Sequence, residues 1–225
     1  MSVRTITEIP EEKQAERGWR VNNVVVSGTI IVVSEIQSLR IANPKFGELA
    51  YGLTPEGFDG WRFHQLGGGG SMIVPYVLLG GRILVGVIQQ ARSTQGGAVW
   101  NVPRGFLDIN TDHFQTAVSE TAEEVGKAVS LAGRFFELPG EPTNPNSAFF
   151  ETFGDEGDHF YGLRVFPEEV ETIDGVVRFK TGLFMPVSKQ AEQILGCKFL
   201  WWKEVIGLQD GYTVQGVGRL IAHLL

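Results

Sequence analysis

The chain has 225 residues, of which 43% are hydrophobic and 20% charged, and its formal net charge is -7. That length fits one large domain, or a core domain with a small extra lobe. The composition allows a sizeable buried core and excludes global disorder. The acidic balance argues against broad binding of nucleic acid or of anionic membranes, because phosphate contacts need clustered Lys and Arg. A small phosphate ligand is still compatible with it, since a bound cation reverses the local field. The single cysteine, Cys197, excludes a disulfide framework and a Cys-rich zinc site, and reads as a small buried hydrophobe. The first twenty residues are polar and lack an apolar signal core, and no apolar run approaches a membrane span. A soluble cytoplasmic protein is the expectation.

In chain order, the polar stretch up to about residue 20 is expected to be loosely attached. Residues 21–34 are rich in β-branched side chains and predict strands with a turn near Gly28. Residues 35–65 mix strand-like pieces with turn residues at Pro44, Gly47, Pro55 and Gly60. The run Gly67-Gly68-Gly69-Gly70 marks a flexible loop or a lobe boundary, giving a β-rich extension over 1–69 and a main domain over 70–225. Met72–Leu79 and Arg82–Gln89, separated by Gly80-Gly81, predict a hairpin. A short strand follows at Trp100–Val102. Asp112, with Gln115 three residues on, predicts a capping box that opens a helix reaching about Val125 and stopping at Gly126. Further strands are expected near 131–137, 147–153, 159–166 and 176–185. The apolar positions Val214, Val217, Leu220, Ile221 and Leu224 predict a helix over Thr213–Leu225. Strands interleaved with two or three helices indicate an α/β or α+β fold.

The chemistry is concentrated between Pro103-Arg104-Gly105 and Gly126. On a helix, Glu120, Glu123 and Glu124 share about a 100° arc of one face. Such crowded carboxylates repel one another unless solvent or a cation relieves them. Mg²⁺ takes hard oxygen ligands and completes its shell with water and phosphate oxygens, so the same cluster can neutralise a diphosphate and polarise an attacking water. A bare E-x-x-E-E is by itself more often a solvated helix face.

The segment Gly105–Lys127 resembles the Nudix box, G-x5-E-x7-R-E-U-x-E-E-x-G-U, where U is a bulky aliphatic. Gly105, Glu120, Glu123, Glu124 and Gly126 match in register. Thr111 replaces the first Glu, Ser119 the Arg, and Thr121 and Lys127 the aliphatics. The flanking GGRILVGVIQQARSTQGGAVWNVPRGFLD and FLWWKEVIGLQDGYTVQGVGRLIAHLL look like the hairpin that precedes the box and the closing strand and helix of ADP-ribose-pyrophosphatase-like members. The resemblance covers residues 70–225, and the first 69 correspond more weakly to the small β lobe such enzymes carry.

The resemblance implies a Nudix-type α/β/α sandwich with a mixed sheet and metal-dependent hydrolysis of a nucleoside diphosphate linked to another moiety, of ADP-ribose or nucleotide-sugar type. Mg²⁺ or Mn²⁺ would be held by Glu120 and Glu124, with Glu123 a further ligand or a water-activating base, and a backbone carbonyl beside Gly105 would complete the site. Arg92 falls where relatives hold substrate, or is a surface Arg at a strand end. Arg104, pointing inward, would grip a phosphate bidentately; pointing outward, it is a solvated loop residue. Some relatives recruit a base from a later loop, for which Glu168, Glu169 and Glu171 are the candidates, Glu169 first among them; as a charge run they are also a solvated loop. Trp61, Phe63 and Trp100 would stack on a nucleobase or pack in the core. His113 and His159 have no partner at metal-ligand spacing and receive no role. Ser119 is too short and neutral to brace glutamates as an Arg does, and Thr111 removes a carboxylate. The alternative is therefore a catalytically impaired Nudix-fold module that binds a nucleotide or sugar phosphate. The extra lobe would also suit pairing of two copies in a homodimer.

Overall fold

The computed structural model describes the backbone of residues 39–43, 47–53, 59–65, 69–92, 97–107, 110–143, 151–152, 157–187 and 193–225, and the side chains of 69–92, 97–107, 110–143, 157–187 and 193–225. The strands expected in 21–34, the side chains of Trp61 and Phe63, and most of the strand expected over 147–153 lie outside these residues.

The early segment forms a meander of β1 (Leu39–Asn43), β2 (Gly47–Leu53) and β3 (Asp59–Gln65), each antiparallel to the next. A short β9 (Glu151–Thr152) adds to β3 in parallel. This sheet therefore takes a strand from beyond residue 70 and does not close upon the first 69 residues alone.

Among the described residues the second sheet has nine strands, ordered β11 (Val170–Ile173), β12 (Val176–Phe179), β13 (Ile194–Trp201), β5 (Arg82–Arg92), β4 (Gly70–Leu79), β10 (His159–Arg164) and β8 (Phe135–Glu137), with β6 (Gly97–Asn101) beside β5 and β7 (Arg104–Phe106) beside β4. Its centre is the expected hairpin, β4 (Gly70–Leu79) and β5 (Arg82–Arg92). Gly80 and Gly81 sit at φ 57 and 73, as a tight turn with two left-handed central residues requires. β10 (His159–Arg164) runs parallel to β4 and antiparallel to β8 (Phe135–Glu137). On the other side, β13 (Ile194–Trp201) pairs with β5, followed by β12 (Val176–Phe179) and β11 (Val170–Ile173). The sheet is thus mixed, as expected.

Alternation along β4 sets the layers. Ile73 faces α1 (His113–Glu124), where it clusters with Ala117, Tyr161 and Leu163. Its neighbours Met72 and Val74 face α3 (Gly211–Leu224), where they pack with Phe160, Val217 and Leu220. A short α2 (Trp202–Val205) precedes α3 and buries Val205. Two opposite faces, each covered by a helix, make the α/β/α sandwich. They also explain why Met72–Val77 reads as an unbroken apolar run. Each fully buried aliphatic here contributes roughly 1.5–3 kcal/mol. Among the described residues, no helix is long and apolar enough to cross a membrane.

One departure from a simple hairpin positions the site. β4 and β5 pair only from Tyr76↔Val85 to Leu79↔Arg82. Pro75, which has no N–H to donate, comes just before that register. Beyond it the strands part, and β6 (Gly97–Asn101) and β7 (Arg104–Phe106) fill the gap. β6 pairs with the far half of β5, from Ile88↔Asn101 to Arg92↔Gly97, and β7 with the near half of β4, from Gly70↔Phe106 to Met72↔Arg104.

Two sequence expectations are corrected. The strand expected over 176–185 ends at Phe179, because the following residues turn at Thr181–Leu183 and then bond to the end of α1. The loop expected over Phe166–Gly175 is a 3-10 turn (Pro167–Glu169) leading into β11 and a tight turn at Asp174-Gly175.

Candidate active site

α1 opens on the expected capping box: Asp112 accepts the Gln115 N–H at 2.7 Å, and the Gln115 side chain accepts the Asp112 N–H at 3.3 Å. Its inward stripe buries Thr116, Ala117, Thr121 and Glu124. Thr121 holds a buried position usually suited to an aliphatic; its hydroxyl donates to the Ala117 carbonyl at 2.8 Å, so no polar atom is stranded. At the helix end, the carbonyls of Glu123 and Val125 accept the N–H groups of Val187 and Met185, each at 2.7 Å.

The stripe delivers Glu120 and Glu124 onto two adjacent residues of β7. The Glu120 carboxylate lies where a side chain on residue 105 would stand, so any larger residue there would push Glu120 out of this position. Glu124 is 4% exposed; one oxygen accepts the Arg104 main-chain N–H at 2.8 Å, the other the Gln90 amide at 3.1 Å. Behind Gln90, Asn101 donates to the Gln90 carbonyl oxygen at 3.4 Å and to the Val102 carbonyl at 2.9 Å. Gln90 and Asn101 escaped the sequence reading, although a Gln inside the buried run of β5 was the signal. Glu123 is half-buried on the same helix turn. The donor set is oxygen only, which suits a hard divalent cation. Among the described residues, no three His, Cys, Asp or Glu side chains stand close enough to hold a metal ion unaided. A cation at Glu120 and Glu124 would complete its shell with water or substrate oxygens.

Strand alternation places the other candidates. Arg92 lies two residues beyond Gln90 on β5 and so shares the face that carries Glu124. Arg104 precedes Gly105 in β7 and must point to the opposite face. There its guanidinium meets both oxygens of Asp210 at 2.9 and 2.8 Å and lies 4.7 Å from the centre of the Tyr212 ring. Asp210 in turn caps α3 by accepting the Thr213 N–H at 2.8 Å. The Arg104 side chain therefore secures α3 and is turned away from the glutamates, contrary to the expected phosphate grip. Trp100 is also on the α3 face, with the Lys198 ammonium 4.1 Å from its ring centre. Glu169 is engaged by Arg134 at 2.6 and 2.7 Å and by the Phe166 N–H at 2.9 Å. Its turn follows Val165, which bonds to Tyr76, whereas Gly105 pairs with Ser71 near the other end of β4. The structure does not bring Glu169 to Gly105. Glu168 is exposed and Glu171 sits on β11. Of the two box substitutions, Ser119 is exposed and Thr111 meets the Thr116 hydroxyl at 3.2 Å. His113 and His159, given no role from sequence, stack at 3.9 Å, with His113 at 3.0 Å from the Gly70 carbonyl and His159 at 2.9 Å from Glu137.

Beneath Gly70 lies Asp158, 1% exposed. Burial pushes its carboxyl up to about 6, against the opposing pull of the Gly70 main chain, Tyr212, Arg104 and His159. An acid whose folded value is raised favours the folded state most at low pH, and that contribution is lost as pH rises from about 4 to about 6. A shift of roughly two units, already net of those opposing contacts, corresponds to about 2–3 kcal/mol once the carboxyl is ionised. Asp158→Asn is therefore expected to stabilise the fold by about 2–3 kcal/mol at pH 8 and by almost nothing at pH 4. Urea unfolding at both pH values checks this, and an equal effect at both refutes it.

No family model matches the chain, and neither does any curated protein. Among solved structures, the chain is similar to an Ap4A hydrolase of C. elegans at 16% identity, covering 69% of this chain and 97% of that one with a TM-score of 0.44. It is similar to an ADP compounds hydrolase at 11% identity, covering 84% and 92% with a TM-score of 0.49. It is also similar to the NUDIX domain of Shewanella oneidensis NrtR, complexed with ADP ribose, at 14% identity, covering 76% and 94% with a TM-score of 0.43.

Proposed function

We propose that this protein is a Nudix-type pyrophosphohydrolase that uses Mg²⁺ or Mn²⁺ to cleave a nucleoside diphosphate linked to another moiety, of ADP-ribose or nucleotide-sugar type, in the cytoplasm. The observation that carries the reading is the convergence of Glu120 and Glu124 from one helix stripe onto Arg104-Gly105, within a segment that keeps the Nudix spacing. Glu120 and Glu124 would hold the cation, with Glu123 beside them as a further ligand or as the base that takes a proton from water. The cation would supply charge neutralisation of the diphosphate and acidify a bound water. Gly105 keeps the backbone low, so that phosphate oxygens can approach the carboxylates. Arg92, on the same face, would orient the substrate by binding phosphate or carboxylate oxygens.

The test is release of a nucleoside monophosphate from ADP-ribose or from a nucleotide sugar by the purified chain. Turnover is expected with Mg²⁺ or Mn²⁺ and is expected to vanish with a chelator. Turnover indifferent to chelation would reject the metal reading.

Ser119 and Thr111 favour a second reading, a module that binds such a ligand without cleaving it. Neither residue adds charge around the glutamates. Calorimetry with ADP-ribose would then show binding with no monophosphate released, and rapid turnover would exclude it.

A further inference from the structure

Glu124 is the more buried of the two carboxylates on β7, and its orientation rests on a directed row of amides. A carboxylate can only accept, so Gln90 must turn its Nε2 toward Glu124. That leaves the Gln90 oxygen facing Asn101, which must therefore present its own amide nitrogen. The same nitrogen also donates to the Val102 carbonyl, which fixes the Asn101 amide, while the Asn101 oxygen is buried with no partner among the described residues. Every donor in the row points one way, toward the carboxylate. Gln90 is 1% exposed and Asn101 fully buried, so neither has solvent to replace these contacts. Because both are neutral, they orient Glu124 without cancelling the charge a cation needs.

We propose that Gln90, itself oriented by Asn101, is a positioning residue that keeps the Glu124 carboxylate aimed for divalent-cation binding. This rests on the reading of Glu124 as a metal ligand. Gln90 lies on β5, outside the glutamate helix, so the geometry of the cation site depends on the sheet as well as on α1.

Mn²⁺ binding to the full chain, followed by calorimetry and by the electron paramagnetic resonance of free Mn²⁺, tests this. Gln90→Met, which keeps the volume and removes the donor, is expected to weaken Mn²⁺ binding by about 10–100-fold. Gln90→Leu, which also removes the donor without adding charge, is expected to do the same and carries the comparison should Gln90→Met not fold. In turnover, both are expected to raise the Mg²⁺ concentration required while leaving the substrate KM at saturating Mg²⁺ near the wild-type value. Ile88→Ala, in the core on the same face of β5, is expected to lower the thermal midpoint and leave Mn²⁺ affinity within about twofold of wild type. Affinity within twofold in a folded Gln90 variant, or an equal loss in Ile88→Ala, would overturn the inference alone. A wild-type chain that takes up no Mn²⁺ would overturn the metal reading and this inference together.

Discussion

Glu124→Gln is expected to reduce metal-dependent turnover by at least about 100-fold, and to destabilise the metal-free chain by about 1–2 kcal/mol. The functional loss follows from charge. An amide keeps the shape of the carboxylate but offers a cation a neutral oxygen. The stability loss follows from two contacts that Glu124 makes with donors, the Arg104 N–H and the Gln90 amide. An amide has one acceptor atom, so its nitrogen must face one of those donors, and a buried donor left without an acceptor costs about 1–3 kcal/mol. Relief of repulsion from Glu120, one helical turn away, returns only about 0.2–0.5 kcal/mol. The donor mismatch therefore outweighs the charge relief. Denaturant unfolding without metal, paired with a monophosphate-release assay, measures both parts. Turnover within about threefold of wild type would remove Glu124 from the proposed ligand set.

The largest expected loss of stability is at Gly69. This residue has φ +112, a region that L side chains rarely adopt, and a Cβ would stand against the backbone carbonyl of Gly157 inside van der Waals contact. Backbone, unlike the end of a long side chain, cannot swing aside. Strain of about 1–3 kcal/mol for the dihedral and a further 1–3 kcal/mol for the collision give a cost of about 3 kcal/mol or more for Gly69→Ala. For a chain of this size that lowers the thermal midpoint by about 10 °C. Gly80→Ala provides the contrast: it also has positive φ, 57, but a Cβ there meets nothing within 4 Å. Its cost is expected near 1 kcal/mol, from the left-handed backbone alone. Similar midpoints for the two variants would show that the packing of Gly69 on Gly157 contributes little.

The parts of the fold that were legible in the sequence are those whose signals are local. Gly80-Gly81 between two apolar runs specified the central hairpin, and Asp112 with Gln115 specified the start of α1. The spacing of Glu120 and Glu124 placed both on the stripe that now faces β7. What was missed depended on partners distant in sequence. Asp174-Gly175 is itself a hairpin signal, but the acidic residues before it disguised β11 as a loop, and only pairing with β12 makes it a strand. Glu169 looked available as a base because its neighbour in space, Arg134, is thirty-five positions away. Arg104 could have been placed: once Gly105 is assigned to face α1 from a strand, its predecessor must face the other way. Gln90 was harder, since a Gln in an apolar strand declares that a buried polar partner exists but not that the partner is Glu124.

The wedge that β6 and β7 drive between β4 and β5 has a consequence for ligand response. Gly105 is bonded to one hairpin strand through β7, and Glu124 to the other through Gln90. A molecule seated against both would span the cleft between strands that no longer touch each other there, and would act as a rivet through the middle of the sandwich. Its binding free energy would then raise the resistance of the whole sheet to opening, helices on both faces included, rather than that of one surface loop.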